Sequence, residues 1–145
     1  MKRVWPAGVR HDFTDNCYLW TGDISSEIYA RDCVFTDPTL SFQGLATFQR
    51  NLASLRPLVD RLLAETDVQL FSCELDEEAG AVVAEWRMTG TFVFPWRPRL
   101  DIRGRTRFAY DAAAGGRVVR YDENWNVSAA SALGQLLRPG PPKAA

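Results

Sequence analysis

Beyond Glu65 the apolar residues change from the three-and-four spacing of a helix to alternation, and they hold that period for most of the remaining chain. Four long segments result: Val68 to Leu75, Val82 to Phe94, Arg99 to Tyr110 and Arg117 to Val127. Their connections are short. Asp76 to Gly80 and Asp111 to Gly116 supply glycines for positive backbone angles, and Pro95-Trp96-Arg97-Pro98 makes a tight prolyl turn. An antiparallel meander follows. A strand of about twelve residues runs roughly 40 Å if straight, so the sheet is expected to bend, with Gly90 and Gly104 placed where bulges could bend it.

Alternation also assigns faces. Val82, Ala84, Trp86 and Met88 share one side, against Val83, Glu85, Arg87 and Thr89 on the other. Leu100, Ile102, Thr106, Phe108 and Tyr110 oppose Asp101, Arg103, Arg105 and Arg107. In the last segment Val119, Tyr121, Glu123, Trp125 and Val127 oppose Val118, Arg120, Asp122 and Asn124. One face is apolar and aromatic, and helices must cover it.

The first half supplies those helices. Between Phe13 and Arg31, the positions Cys17, Leu19, Trp20, Ile24 and Ile28 suggest two short helical stretches separated by Gly22-Asp23, the second capped by Asp23 or Ser25. Cys33 to Thr36 is β-branched and aromatic and reads as a short strand, followed by a loop from Asp37 to Gln43. Leu45 to Ala64 carries the clearest amphipathic pattern, with a kink or a restart expected near Arg56 because Pro57 removes a helical amide. Ser128 to Leu137 reads as a closing helix, and 138–145 as a Pro/Gly tail.

At 145 residues and 46% hydrophobic, the chain has the material for one cored domain. A formal net charge of −1 gives no overall field toward nucleic acid or anionic membranes, and no apolar run is long enough to span a bilayer. Cys17, Cys33 and Cys73 fit neither a disulfide framework nor a zinc site, which points to a reducing, intracellular compartment. Residues 1–10 are charged but lack an apolar core, so they do not read as a secretory signal.

The order of helix, short helix, strand, long helix and four antiparallel strands resembles the α+β cone of nuclear transport factor 2 (NTF2)-like proteins and SnoaL-like polyketide cyclases. N-terminal helices there pack on a strongly curved antiparallel sheet. The detail is similar to the DUF2358 family, found in plants, algae, cyanobacteria and animal mitochondria. The resemblance rests on Tyr29-Ala30-Arg31-Asp32, Val34-Phe35-Thr36-Asp37-Pro38, Phe42-Gln43-Gly44-Leu45, Trp86-Arg87-Met88-Thr89-Gly90, Pro95-Trp96 and Tyr121-Asp122-Glu123-Asn124-Trp125. It implies a SnoaL-like domain over 12–137, after an extension over 1–11. It also implies an organelle such as the plastid if a targeting segment preceded Met1. The stretch before Gly22 is short for the long first helix of the wider superfamily, which implies a more open cone.

The candidate site residues follow from the faces. Tyr29, Phe35, Phe42, Phe48, Leu52, Trp86, Met88, Phe108, Tyr110, Tyr121 and Trp125 could line a pocket for a small apolar ligand, or simply form core. No metal or other cofactor is expected, since one histidine and scattered cysteines make no ligand set. No catalytic residue is assigned. Asp37 and Glu123 are the candidates for a general base, because a carboxylate against aromatic walls has its charged form desolvated; Asp37 before Pro38 reads more strongly as a turn former. His11 reads as solvated or capping. Arg103, Arg105 and Arg107 lie on the wet side of the sheet, with Asp101 and Glu85 as cross-strand partners, and nucleic acid is not expected there. The resemblance implies a homodimer through that outer face. Three functions stay in view: a non-metallic binding module, which is favoured; a cofactor-independent lyase, isomerase or cyclase; and an interaction scaffold.

Overall fold

A computed structural model of the chain describes residues 6–141. The start of the charged N-terminal stretch and the last four residues of the tail lie outside that range. Helix α1 spans Pro6–Thr14 and α2 spans Tyr18–Thr21; a 3₁₀ turn at Ser26–Ile28 leads into β1, Tyr29–Thr36. The strand β2 is Ser41–Gln43, and α3 is Leu45–Leu62. The meander is β3 Leu63–Asp76, β4 Ala81–Phe92, β5 Arg99–Asp111 and β6 Arg117–Trp125, and α4, Ala129–Gly134, ends in a 3₁₀ turn at Gln135–Leu137.

All six strands form one sheet in the order β2-β1-β6-β5-β4-β3. The meander accounts for β3 to β6, and β1 adds to its far edge by pairing parallel with β6, Phe35 beside Tyr121. That parallel contact brings the two halves of the chain together. The helices cover the inner face, as its apolar residues require.

Several sequence expectations are corrected. Tyr29 to Arg31 belong to β1, not to a helix, Tyr29 pairing with Val118 of β6; ahead of them only Ser26–Ile28 makes a 3₁₀ turn. The expected loop 37–43 contains β2, held by Val34–Gln43 and Phe35–Phe42 pairing. Helix α3 runs through Pro57 without the restart that the proline allowed. Pro57 lies in an exposed stretch of the helix, where water can serve the carbonyl that its missing amide leaves free.

Gly90 and Gly104 are not bulges. Each sits in regular register, Gly104 directly opposite Trp86, and a Cβ there would lie 2.2 Å from the Trp86 ring. The glycine lets the indole lie flat on the neighbouring strand. A Cβ on Gly90 would likewise meet Trp20 at 2.9 Å. The bends fall elsewhere, at register shifts between Leu70 and Ser72 and between Ala109 and Tyr110. The second shift leaves Val119 without a partner and turns Val118 inward, so Val118 is fully buried where alternation alone had assigned Val119.

The core is continuous from α1 to the sheet. Phe13, Tyr18, Phe35, Trp86 and Phe108 are each no more than 2% exposed. Phe13 stands 6.4 Å from the Trp86 ring and 6.3 Å from Phe108, and Val9 is buried one turn earlier on α1. Each such side chain contributes about 1.5–3 kcal/mol on leaving water. The buried polar handle of Trp86 is satisfied, its Nε1 donating to Thr106 Oγ1 at 2.9 Å.

Candidate functional site

The candidate carboxylates lie at the ends of β1 and β6. Strand β1 points Cys33 and Phe35 inward, and the same alternation brings Asp37 to the inner side just beyond its end. On the neighbouring strand, Tyr121 is inward beside Phe35, and Glu123 follows it. The two carboxylates therefore occupy corresponding positions on adjacent parallel strands.

Glu123 is the more enclosed. Its Oε1 accepts from the Tyr121 hydroxyl at 2.6 Å and its Oε2 from Trp125 Nε1 at 2.7 Å. The Tyr121 hydroxyl in turn meets the buried Tyr18 hydroxyl at 2.8 Å. Because Tyr121 donates to the carboxylate, Tyr18 is the donor in that second bond. Burial raises the proton affinity of Glu123, the hydrogen bonds from Tyr121 and Trp125 oppose that rise, and the nearby Asp37 charge adds to it. Burial also pushes the Tyr18 and Tyr121 hydroxyls well above the ordinary tyrosine range, so both remain protonated donors.

Asp37 forms the turn that the sequence suggests. Its Oδ1 accepts from the Thr39 amide at 2.7 Å, the Thr39 hydroxyl and the Leu40 amide at 3.0 Å. Among the described residues, Oδ2 accepts no hydrogen bond and no cation pairs with this carboxylate. Asp37 also lines a groove of about 310 Å³ with Thr39, Leu40, Phe42, Phe48, Leu52 and other α3 residues. The groove's Phe42 and Phe48 pack on the buried Phe35, whose ring lies 4.0 Å from Phe48 and 5.5 Å from Phe42. Phe48 reaches Tyr121 at 5.5 Å, which joins the groove to the Glu123 network.

The residues expected to line a pocket thus divide. Phe42, Phe48 and Leu52 line the groove. Tyr29, Phe35, Trp86, Phe108 and Tyr121 are buried and packed on one another or on Phe13. Met88, Tyr110 and Trp125 are partly buried against that cluster. The sequence reading passed over Thr39, Leu40, Asn51, Ser54 and Leu55, which complete the groove, and Tyr18, which extends the hydrogen-bond chain. The polar Asn51 and Ser54 beside the stripe residues Leu52 and Leu55 were the available signal that this part of α3 is not simply core-facing.

Other candidates have structural roles. His11 is exposed and its Nδ1 lies 2.7 Å from Asp15. Asp12, only 2% exposed, accepts from the Ser25 amide and hydroxyl and from Asn16, which ties α1 to the turn before β1. Burial raises its proton affinity and those bonds hold the rise back. On the outer face Asp101 pairs with Arg87 rather than with the arginine row, and Arg103 stacks 5.2 Å from the Phe71 ring. Cys17 and Cys33 are free thiols. Among the described residues no cluster is built to hold a metal ion, and no helix is long and apolar enough to cross a membrane.

Against known proteins, residues 9–120 match the family described as "Uncharacterized conserved protein (DUF2358)". The chain belongs to the DUF2358 family. No curated protein matches it. Among solved structures, this DUF2358 protein is similar to an NTF2-like protein of unknown function from Burkholderia pseudomallei K96243, with a TM-score of 0.63 at 12% identity, covering 90% of this chain and 95% of that one. It is also similar to a protein assigned as a SnoaL-like polyketide cyclase from Jannaschia sp. CCS1, with a TM-score of 0.60 at 14% identity over 93% of this chain and 92% of the other. BvnE pinacolase from Penicillium brevicompactum aligns with a TM-score of 0.59 at 10% identity over 81% and 80%. These likenesses show that the DUF2358 chain has the SnoaL-like, NTF2-like fold.

Proposed function

We propose that this protein binds a small, largely apolar molecule in the groove between the β1–β2 turn and α3. The observation that carries the reading is a groove of about 310 Å³ in which stacked phenylalanines meet a carboxylate oxygen left unbonded. That combination supplies apolar contact area together with a polar group that fixes orientation. The packed interior around Trp86 is not part of the proposed site. Titration calorimetry with 2-naphthaleneethanol and 2-(2-naphthyl)ethylamine as probes tests the reading: saturable binding of either that Leu52→Asp abolishes supports it, and no binding of either to the native protein overturns it.

A second reading is proton transfer at the same mouth, with Glu123 as general acid or base. It is favoured by the enclosure of Glu123, whose proton affinity burial raises, and by the tyrosine pair that orients its carboxylate. The assay is isomerisation of a β,γ-unsaturated cyclic ketone, followed by conjugated-enone absorbance. Turnover lost in Glu123→Gln supports this reading; no turnover, or an unchanged rate in the variant, removes it.

The outer sheet face suits a homodimer. Acidic Glu74 and Asp76 run along β3 and basic Arg103, Arg105 and Arg107 along β5, so a two-fold-related copy can set one stripe against the other. Sedimentation of the native protein and Arg105→Glu tests it, with dimer lost in the variant as the expected result and a native monomer as the contrary one.

A further inference from the structure

The groove has a chemical asymmetry that narrows what it can hold. Its walls are Asp37, Thr39, Leu40, Phe42, Phe48, Asn51, Leu52, Ser54 and Leu55, so it carries one carboxylate and no lysine, arginine or histidine. The guanidinium of Arg56 on the same helix is turned to Asp23, Asp60 and the Thr21 carbonyl, and Arg50 does not line the groove. Oδ1 of Asp37 is consumed by the turn, while Oδ2 remains without a partner. Behind it stands a second carboxylate, Glu123, whose proton affinity responds to the Asp37 charge. Phe42 and Phe48 line the same groove, their ring centroids 6.1 Å apart.

An anionic ligand would meet that carboxylate with no compensating cation, which costs binding energy. A neutral apolar ligand would leave Oδ2 unsatisfied by anything except water. A ligand ammonium answers both conditions, because its N–H groups can pair with Oδ2 while its charge is attracted to the aromatic faces. We infer that the groove selects small apolar amines in their protonated form, with Asp37 Oδ2 as the counter-charge and Phe42 and Phe48 as the aromatic wall. This deepens the small-molecule reading above and rests on it.

The experiment compares a matched pair, 2-(2-naphthyl)ethylamine and 2-naphthaleneethanol, which share the ring system and differ in the head group. At low ionic strength and neutral pH the amine binds at least about tenfold more tightly, a factor that corresponds to about 1.4 kcal/mol. Asp37→Asn keeps an amide oxygen to accept the Thr39 and Leu40 amides, so the turn survives, and it brings the amine-to-alcohol ratio close to one. Added salt narrows the ratio in the native protein and leaves it unchanged in the variant. If the two probes bind equally to the native protein, or if Asp37→Asn leaves the preference intact, amine selection is wrong and the groove remains an apolar site. If neither probe binds, the small-molecule reading fails and the inference fails with it.

Discussion

The interior and the mouth of this cone are built from the same kinds of side chain and end in opposite states. At the interior, Trp86 and Phe108 of the sheet meet Phe13 and Tyr18 from the first two helices, and all four rings are no more than 2% exposed. At the mouth, Phe35, Phe42 and Phe48 stack just as closely, yet only one residue of α3, Phe48, is buried. Leu55 and Leu58, further along the same stripe, are each more than half exposed. The difference lies in the covering elements: short N-terminal helices reach far enough to fill one end and not the other. A row of inward aromatics therefore does not by itself define a pocket; the residues that fail to arrive do.

The largest effect that can break this comparison is at the interior. Phe13→Ala should lower stability by about 3–5 kcal/mol in chemical denaturation, since the cavity it leaves is walled by sheet and cannot collapse. Phe42→Ala, at the open mouth, should cost only about 1–2 kcal/mol, because a partly exposed ring leaves a gap that water can enter. Equal losses at both sites would remove the distinction. Gly104→Ala belongs to the interior class: its Cβ would press on the Trp86 indole, and a loss of about 3 kcal/mol is expected from overpacking.

A smaller effect separates the two regions by pH. Glu123 holds its proton more tightly in the folded protein than an ordinary glutamate would. The folded state then binds more protons than the unfolded chain as pH rises from the ordinary glutamate value of 4.5, so stability falls through that window. Glu123→Gln has no such proton to lose. The native protein's stability relative to the variant should therefore decline with rising pH in paired urea titrations; a difference that grows instead would contradict the enclosure of Glu123. Asp12 shifts in the same direction but is common to both proteins and cancels.

The smallest effect concerns the closing helix. Gln135 donates to the Asp101 carbonyl at 3.0 Å and accepts from its amide at 2.9 Å, which covers the part of β5 that extends beyond β6. Gln135→Ala should cost about 1–2 kcal/mol, from the loss of two part-buried hydrogen bonds. It should leave ligand binding at the mouth unchanged.

Much of the architecture was legible because alternation and turn chemistry are local signals. The meander, the long α3 and the inward set Trp86, Phe108 and Tyr121 follow from them directly. What was not legible depends on pairing at a distance. Tyr29 to Arg31 look helical until β6 offers them a partner, and Val118 replaces Val119 only because β5 and β6 slip by one residue. Gly104 reads as a bend because the sequence does not reveal that an indole lies across it. At the candidate site, Asp37 and Glu123 were identifiable from residue type and face, whereas their meeting required the parallel pairing of β1 and β6. The division of the aromatics into filled interior and open mouth required knowing where Phe13 and Tyr18 insert.

The most direct test of that division is a ¹⁵N–¹H correlation spectrum recorded while 2-naphthaleneethanol is titrated into ¹⁵N-labelled protein. The account predicts shifts concentrated in the amides of Thr39, Leu40, Phe42, Asn51, Leu52 and Ser54, with Ala84, Trp86 and Thr106 unmoved. Shifts centred on Ala84, Trp86 and Thr106 would contradict it, because they would place the ligand in the interior described here as filled.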